Sequence, residues 1–258
     1  MCTVVILRRP DHDWPVIIGA NRDEMNDRPW LPPKRHWDER DHVIAGMDVL
    51  AGGTWLGVND DGLVAAILNR RNSLGPAPGL RSRGELPLEA LDHAEAAIAA
   101  KALASLEPQS YRTFNLLIAD AREAFLISSE QISDHADDKQ ISVQPLPEGI
   151  SMISAQGLNT EQSSRQKYYA KQFQIVSPPD PTTDNWAEWE QMMASRKTDP
   201  LAGPDSAMNV MTDFGFQTIC SSLIALPNPQ QSQQKPIWRF AVGAPDEAEF
   251  KPISTLES

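Results

Sequence analysis

The 258-residue sequence predicts an α+β layered protein built on antiparallel sheets. Three observations carry that expectation. Short β-branched runs arrive in groups separated by turn residues, one central stretch switches to a helical period, and the blocks follow one another as strands, helix, strands, helices, strands with no regular βαβ rhythm. With no internal repeat and no heptad pattern, a single domain over 1–258 is expected.

Thr3 to Arg8 (TVVILR) and Val16 to Asn21 (VIIGAN) flank a turn rich in Pro10, Asp11, Asp13 and Pro15, so they are expected to pair as a hairpin. The segment MNDRPWLPPKRHWDERDH that follows has many prolines, charges and tryptophans and no clean period, which predicts a long ordered loop. Strand signals resume at Val43 to Met47, Thr54 to Val58 and Leu63 to Asn69, with Gly52-Gly53 and Asn59 to Gly62 as turns, giving an antiparallel meander. Leu91, Ala94, Ile98, Ala102 and Leu106 then recur at three and four residues, predicting one helix that starts near Pro87. Strands are expected at Phe114 to Ala119, Ala124 to Ser128, Ile141 to Gln144 and Ile150 to Ala155, helices at Glu161 to Val176 and Asn185 to Arg196, and final strands in TICSSLIAL and IWRFAV. PNPQQSQQKP is a low-complexity surface loop.

A formal charge of −12 opposes nucleic acid and polybasic membrane contacts. Two cysteines, Cys2 and Cys220, make neither a disulfide framework nor a CxxC unit, and point to a reducing compartment. The apolar run behind Met1 stops at Arg8 and Arg9, and none approaches the ~18 residues of a membrane span. A soluble, cytoplasmic protein without stable membrane insertion is the expectation.

Cys2 has a chemical reading. If Met1 is removed, the chain begins with a residue that carries both a thiol and an α-amine, whose ordinary pKa values of about 8.5 and 7.7–8.0 allow proton transfer between them at neutral pH. The plainer reading is a small apolar residue opening an edge strand. Asn21, Arg22, Asp23 and Glu24 end the second strand of the hairpin within reach of Cys2. Asp23 could hydrogen-bond the ammonium as an acid orients a triad His, and Arg22 could hold an acidic group. The plainer reading here is a solvated turn with local ion pairs.

MC at the start, ANRDE at Ala20 to Glu24, GGTWLGVNDDGLVAAILN at Gly52 to Asn69 and SRG at Ser82 to Gly84 together resemble the NRDE family, also called the transport and Golgi organisation family. The resemblance implies a four-layer αββα sandwich of antiparallel sheets, N-terminal-nucleophile hydrolase-like, with Cys2 as nucleophile. By analogy with the cholylglycine hydrolases and penicillin V acylases it implies cleavage of a carbon–nitrogen amide bond in a small acylated substrate. It implies Cys2, Asp23 and Asn69 as catalytic residues, Asn69 contributing to the oxyanion pocket. Asn21, Arg22, Glu24, Trp55 and Arg83 are the candidate ligand-binding residues.

Three positions depart from those hydrolases: Ala20 and Cys220 stand where arginines are expected, and the oxyanion Asn after a central strand falls near Ser154-Ala155-Gln156, where only Gln156 has an amide. An oxyanion donor is worth roughly 3 kcal/mol, so Arg22 is the expected substitute charge. The lost charges leave a second class open: a carrier of haem or another hydrophobic ligand using the same pocket. No cofactor is required for hydrolysis; under the carrier reading an axial ligand would come from Cys2, Cys220, a Met, His36 or His42. His12, His36, His42, His93 and His135 lack metal-ligand spacing, and no metal site is expected. Trp30, Trp37 and Trp55 either line an apolar cleft or pack as ordinary core. If TICSSLIAL replaces the hydrolase strand that carries the late Arg, Cys220 either shares a cleft with Cys2 or is an inert buried thiol.

Overall fold

The structure, a computed structural model, describes residues 2–133, 138–199, 202–203, 206–230 and 234–254. His135 lies outside the described residues. Two compact units divide the chain, one formed by Met1–Arg28 with Pro147–Ser258 and the other by Pro29–Leu146. Each holds one seven-stranded sheet. In chain order, β1 (Thr3–Arg8) and β2 (Val16–Met25) belong to the first unit. The second contains β3 (Trp30–Lys34), β4 (Val43–Asp48), β5 (Leu56–Asn59), β6 (Val64–Asn69), α1 (Glu85–Leu91), α2 (Ala96–Leu103), β7 (Phe114–Ala119), β8 (Ala124–Gln131) and β9 (Lys139–Pro145). The chain then returns to the first unit with β10 (Gly149–Ser154), β11 (Gly157–Leu158), α3 (Ser164–Phe173), α4 (Ala187–Met193), β12 (Phe216–Leu226), β13 (Ile237–Ala241) and β14 (Phe250–Pro252).

In the first unit the order is β11-β10-β1-β2-β12-β13-β14, every neighbour antiparallel. The expected hairpin is present, with Thr3 opposite Asn21 and Arg8 opposite Val16. β2 is central and outlasts β1, running on through Asn21 to Met25 because β12 pairs along its whole length, from Val16–Leu226 to Met25–Phe216. The four polar residues of the ANRDE stretch are therefore ladder residues, not a turn. Alternation gives Val5, Leu7, Ile17, Leu223 and Ala225 to the face covered by α3 and α4, where they pack on Tyr169, Phe173, Trp189 and Met193.

The second unit is a meander in chain order, β3 through β9. Val43, Ala45, Leu63, Ala65, Leu116 and Ile118 pack beneath Leu86, Leu91, Ala96, Ala99 and Leu103 of α1 and α2. Two expectations are corrected here. The proline-rich segment taken as loop contains β3, and it tolerates Pro32 and Pro33 because β3 is the sheet's edge, where a missing N–H disturbs no inner ladder. The single helix expected across Leu91 to Leu106 is two short helices. Asn59 Nδ2 donates to the carbonyls of Leu91 and His93 at 2.9 and 2.7 Å, ending α1, and Asp120 Oδ2 accepts from Ala96 N at 2.8 Å, starting α2. The break rotates the second half, so Ala99 and Leu103 are buried and Ile98 is 53% exposed.

Candidate active site

The register of the first unit sorts the site residues onto two faces. Thr3, Asn21 and Ser221 form one cross-strand row, so Asn21 and Asp23 share the helix-covered face. Cys2, one residue before Thr3, comes level with Arg22, and Arg22 is opposite Cys220. Cys2, Arg22 and Cys220 thus form a row across β1, β2 and β12 on the other face, with buried Arg22 between the two sulfurs.

Cys2 is half-buried and its thiol donates to the main-chain carbonyl of Asp23 across 3.6 Å. Burial pushes the thiol above its ordinary value, the Asp23 carboxylate pushes it the same way, and the α-amine and Arg22 pull it back. At rest this sulfur is a neutral thiol. Cys220 is buried and its thiol is likewise pushed up by desolvation, against the pull of Arg22. With β2 between them, the cysteines lie two strand spacings apart, roughly 10 Å, beyond the 6.8 Å limit of disulfide Cα separations. Strand order therefore overturns the redox-closable pair.

Beneath this row, Asp23 has a fully buried carboxylate. Its Oδ2 accepts from Arg165 Nη1 of α3 at 3.1 Å, and its Oδ1 accepts from Thr218 Oγ1 of β12 at 2.7 Å. The same Arg165 nitrogen donates to Thr3 Oγ1, and Thr218 Oγ1 accepts from Val210 N at 2.8 Å. Arg165 carries no signal of its own in the sequence, because QSSRQKYY has the composition of a solvated helix face. The usable signal was Asp23 itself: a carboxylate inside a sheet needs a cation from some element.

The other candidates are placed as follows. Asn21 is engaged within the unit: Nδ2 donates to the carbonyls of Met193 and Met208, both at 2.9 Å, and Oδ1 accepts from Ser221 Oγ at 2.6 Å. Glu24 is half-buried, accepting from Met25 N at 2.9 Å and facing Arg28 at 3.7 Å. Gln156 Oε1 accepts from Ser154 Oγ, which in turn accepts from Gln166 Nε2 at 2.8 Å. Asn69, Trp55 and Arg83 belong to the second unit. Asn69 ends β6 opposite Phe114. Trp55 meets Trp30 edge-on, centroids 5.7 Å apart, with its ring against Gly46. Arg83 Nη1 donates to Ser73 O, Ser73 Oγ and Thr113 O at 2.8, 3.0 and 3.0 Å, fastening the loop after β6. Next to it, Thr54 N donates to Gly84 O at 2.8 Å, and a Cβ on Gly53 would come within 2.4 Å of the Gly84 carbonyl carbon. The GGTW and SRG segments are thus one backbone contact.

Of the Cys and His donors considered for haem, His36 Nε2 is 2.9 Å from Pro32 O, His42 Nε2 is 3.3 Å from Leu91 O, and Cys220 is buried. No three of His, Cys, Asp and Glu converge as metal ligands among the described residues, and no described helix is long and apolar enough to cross a membrane.

The family model for Transport and Golgi organisation 2 matches residues 1–231, which takes in the Cys2 row, the Asp23 cluster and the Gly53–Gly84 contact. The chain belongs to that family. The mouse family member, Transport and Golgi organization 2 homolog, is 34% identical over 110 residues, covering 41% of this chain and 38% of the mouse protein. The human homolog is 33% identical over 116 residues, 42% of this chain and 40% of its own length. The matches thus span about two fifths of those relatives. Among solved structures, the Caenorhabditis elegans ortholog of N-acylethanolamine-hydrolyzing acid amidase superposes with a TM-score of 0.57 at 11% identity, covering 88% of this chain and 93% of that one. A single-residue variant of conjugated bile acid hydrolase from Clostridium perfringens gives 0.55 at 12% identity, covering 98% and 96%. At such identities the likeness establishes the fold, and that fold is the N-terminal-nucleophile hydrolase-like α+β sandwich the family resemblance implies.

Proposed function

We propose that the chain is an N-terminal cysteine hydrolase that cleaves a carbon–nitrogen amide bond through a thioester on Cys2. One observation supports this above the others: the half-buried Cys2 thiol lies on the Asp23 carbonyl, level with buried Arg22, over an Asp23 carboxylate pinned by Arg165 and Thr218. Removal of Met1 would give Cys2 a free α-amine. Because burial keeps the thiol protonated at rest, the base has to take its proton as attack begins, and the amine is the base within the same residue.

Sulfur attacks the carbonyl carbon while its proton passes to the amine. The tetrahedral oxyanion collapses, the C–N bond breaks and the leaving nitrogen takes the proton from the α-ammonium. Water then cleaves the thioester, releasing the carboxylic acid and restoring the thiol. Arg22 supplies positive potential in place of the charges absent at Ala20 and Cys220. For Asn69 as oxyanion donor the support is the family resemblance. Since structural neighbours are named for hydrolysis of N-acylethanolamines and conjugated bile acids, an N-acyl amide with an apolar acyl group is the first substrate class to test.

The test is mass spectrometry of the purified protein, before and after incubation with an N-acylethanolamine and a panel of acyl amides. Expected are loss of Met1, an acyl adduct on Cys2 and no adduct in Cys2→Ala. Retained Met1, or turnover surviving in Cys2→Ala, would overturn the mechanism. The missing charges at Ala20 and Cys220 favour one rival, a carrier of haem or another hydrophobic ligand; a Soret shift on haem titration that Cys2→Ala abolishes, without any acyl adduct, would select it.

A further inference from the structure

Arg165 is assigned no role by the family resemblance, yet its guanidinium reaches Thr3, the first residue of β1. It is 5% exposed and arrives from α3, an element 142 residues from Asp23 in sequence. Its Nη1 bridges two sites, Asp23 Oδ2 on β2 and Thr3 Oγ1 on β1. Thr3 is the residue after Cys2, so one guanidinium joins the anchor of the nucleophile's strand to the carboxylate beneath it. A buried Asp without such a partner would be costly and its position loose.

We infer that Arg165 is a positioning residue for Cys2: it fixes the Asp23 carboxylate against the first residue of β1 and cancels that carboxylate's charge. The catalytic meaning of this inference rests on the hydrolase reading, but the effect on Cys2 does not. The charged and titratable groups around Cys2 are the α-amine of the chain, Asp23 and Arg22 from β2 and Cys220 from β12, with Arg165 from α3 held on the Asp23 carboxylate. Asp23 raises the Cys2 thiol, and the α-amine and Arg22 lower it. With Arg165 gone, the Asp23 carboxylate loses the cation paired with it and its field on the sulfur strengthens against Arg22 and the α-amine, whereas without Asp23 the guanidinium loses the carboxylate through which it acts.

The experiment is a double-mutant cycle read by iodoacetamide alkylation of Cys2 against pH, followed on the Cys2 peptide by mass spectrometry, which needs no substrate. Arg165→Met should move the alkylation midpoint up by about one unit, a tenfold loss of rate at neutral pH, while Arg165→Lys restores most of it. Asp23→Asn should move it down, and Asp23→Asn/Arg165→Met should match Asp23→Asn alone. An unchanged midpoint in folded Arg165→Met would overturn the inference. Should that variant fail to fold, Arg165→Gln takes its place: a midpoint raised above wild type supports the inference and an unchanged one overturns it, as does a further shift of the double variant from Asp23→Asn alone. Absence of hydrolysis in every variant would refute the hydrolase reading and leave this result standing.

Discussion

Thr218 and Asp23 face each other one residue before a β-bulge, Oγ1 of Thr218 lying 2.7 Å from Oδ1 of Asp23. The bulge inserts Ile219 into β12, so that Thr218 pairs with Asp23 while Cys220 pairs with Arg22. One extra residue thereby serves both faces: the hydroxyl reaches the carboxylate on the helix side, and the thiol joins the row with Arg22 and Cys2 on the other. A regular ladder would have set Ile219 opposite Arg22 and Cys220 opposite Asn21.

Thr218→Val preserves shape but removes the donor to Asp23 and the acceptor of Val210 N. Hydrogen bonds to charged groups contribute about 1.5–3 kcal/mol, so urea denaturation should show a loss of about 2 kcal/mol or more, with Thr218→Ser retaining most of the stability. Equal stability of Val and Thr would show that the hydroxyl does not hold the carboxylate.

The pH behaviour of Cys2 tests the row itself. Burial and Asp23 hold its thiol above its ordinary value, and the α-amine and Arg22 oppose them. Thiolate is the alkylated form, so reaction should rise with pH through a midpoint above that value. Arg22→Gln removes the stabilising charge and should move the midpoint further up. If Arg22 is also the electrophilic support for the oxyanion, kcat/KM in the same variant should fall about a hundredfold. A midpoint that stays put would mean the Arg22 charge is screened from the sulfur.

Much of this architecture was legible because it is local. The β1–β2 hairpin, the meander β4 to β6 and the last two long strands follow from β-branched runs and turn residues. What sequence could not give was set by distant partners. β3 exists because an edge accepts Pro32 and Pro33, and the α1–α2 break is made by Asn59 and Asp120, neither of which lies in a helix. Asp23 was found through its motif and Arg165 was not, since an Arg in a polar helix has the same signature whether solvated or buried. Asn21, in the same motif, is spent on the Met193 and Met208 carbonyls, a task no local pattern announces.

The glycines of the second unit make a graded prediction. A Cβ on Gly53 would meet the Gly84 backbone at 2.4 Å, whereas one on Gly46 would meet the Trp55 ring at 2.2 Å. Side chains can move where a hydrogen-bonded backbone cannot. Gly46→Ala should therefore cost about 1–3 kcal/mol, as overpacked cores do, and change Trp fluorescence as the ring shifts. Gly53→Ala should cost more and weaken protection of the Thr54 amide, whose bond to Gly84 O would have to open. Hydrogen exchange at Thr54 compares the two; an unprotected Thr54 amide already in the wild type would remove the basis of the ranking.

Cys220 carries a last prediction, about alkaline stability. Its thiol is raised from an ordinary 9.0 by burial, so the folded chain keeps that proton to higher pH than the unfolded chain does. Below the unfolded value both states are protonated and the contribution is complete. As pH rises past about 9 the unfolded thiol ionises first, the unfolded state then binds fewer protons, and stability falls by up to about 1.4 kcal/mol per pH unit for each such group until the folded thiol also ionises. Tyr111, raised from 10.0 chiefly by burial, adds a second fall that begins about one unit higher. Urea denaturation under reducing conditions between about pH 8 and pH 10 should show wild type declining faster than Cys220→Ala, even though the variant starts lower for loss of packing. Parallel declines would show that Cys220 ionises as easily folded as unfolded, and with that the dry environment between β2 and β13 would be refuted.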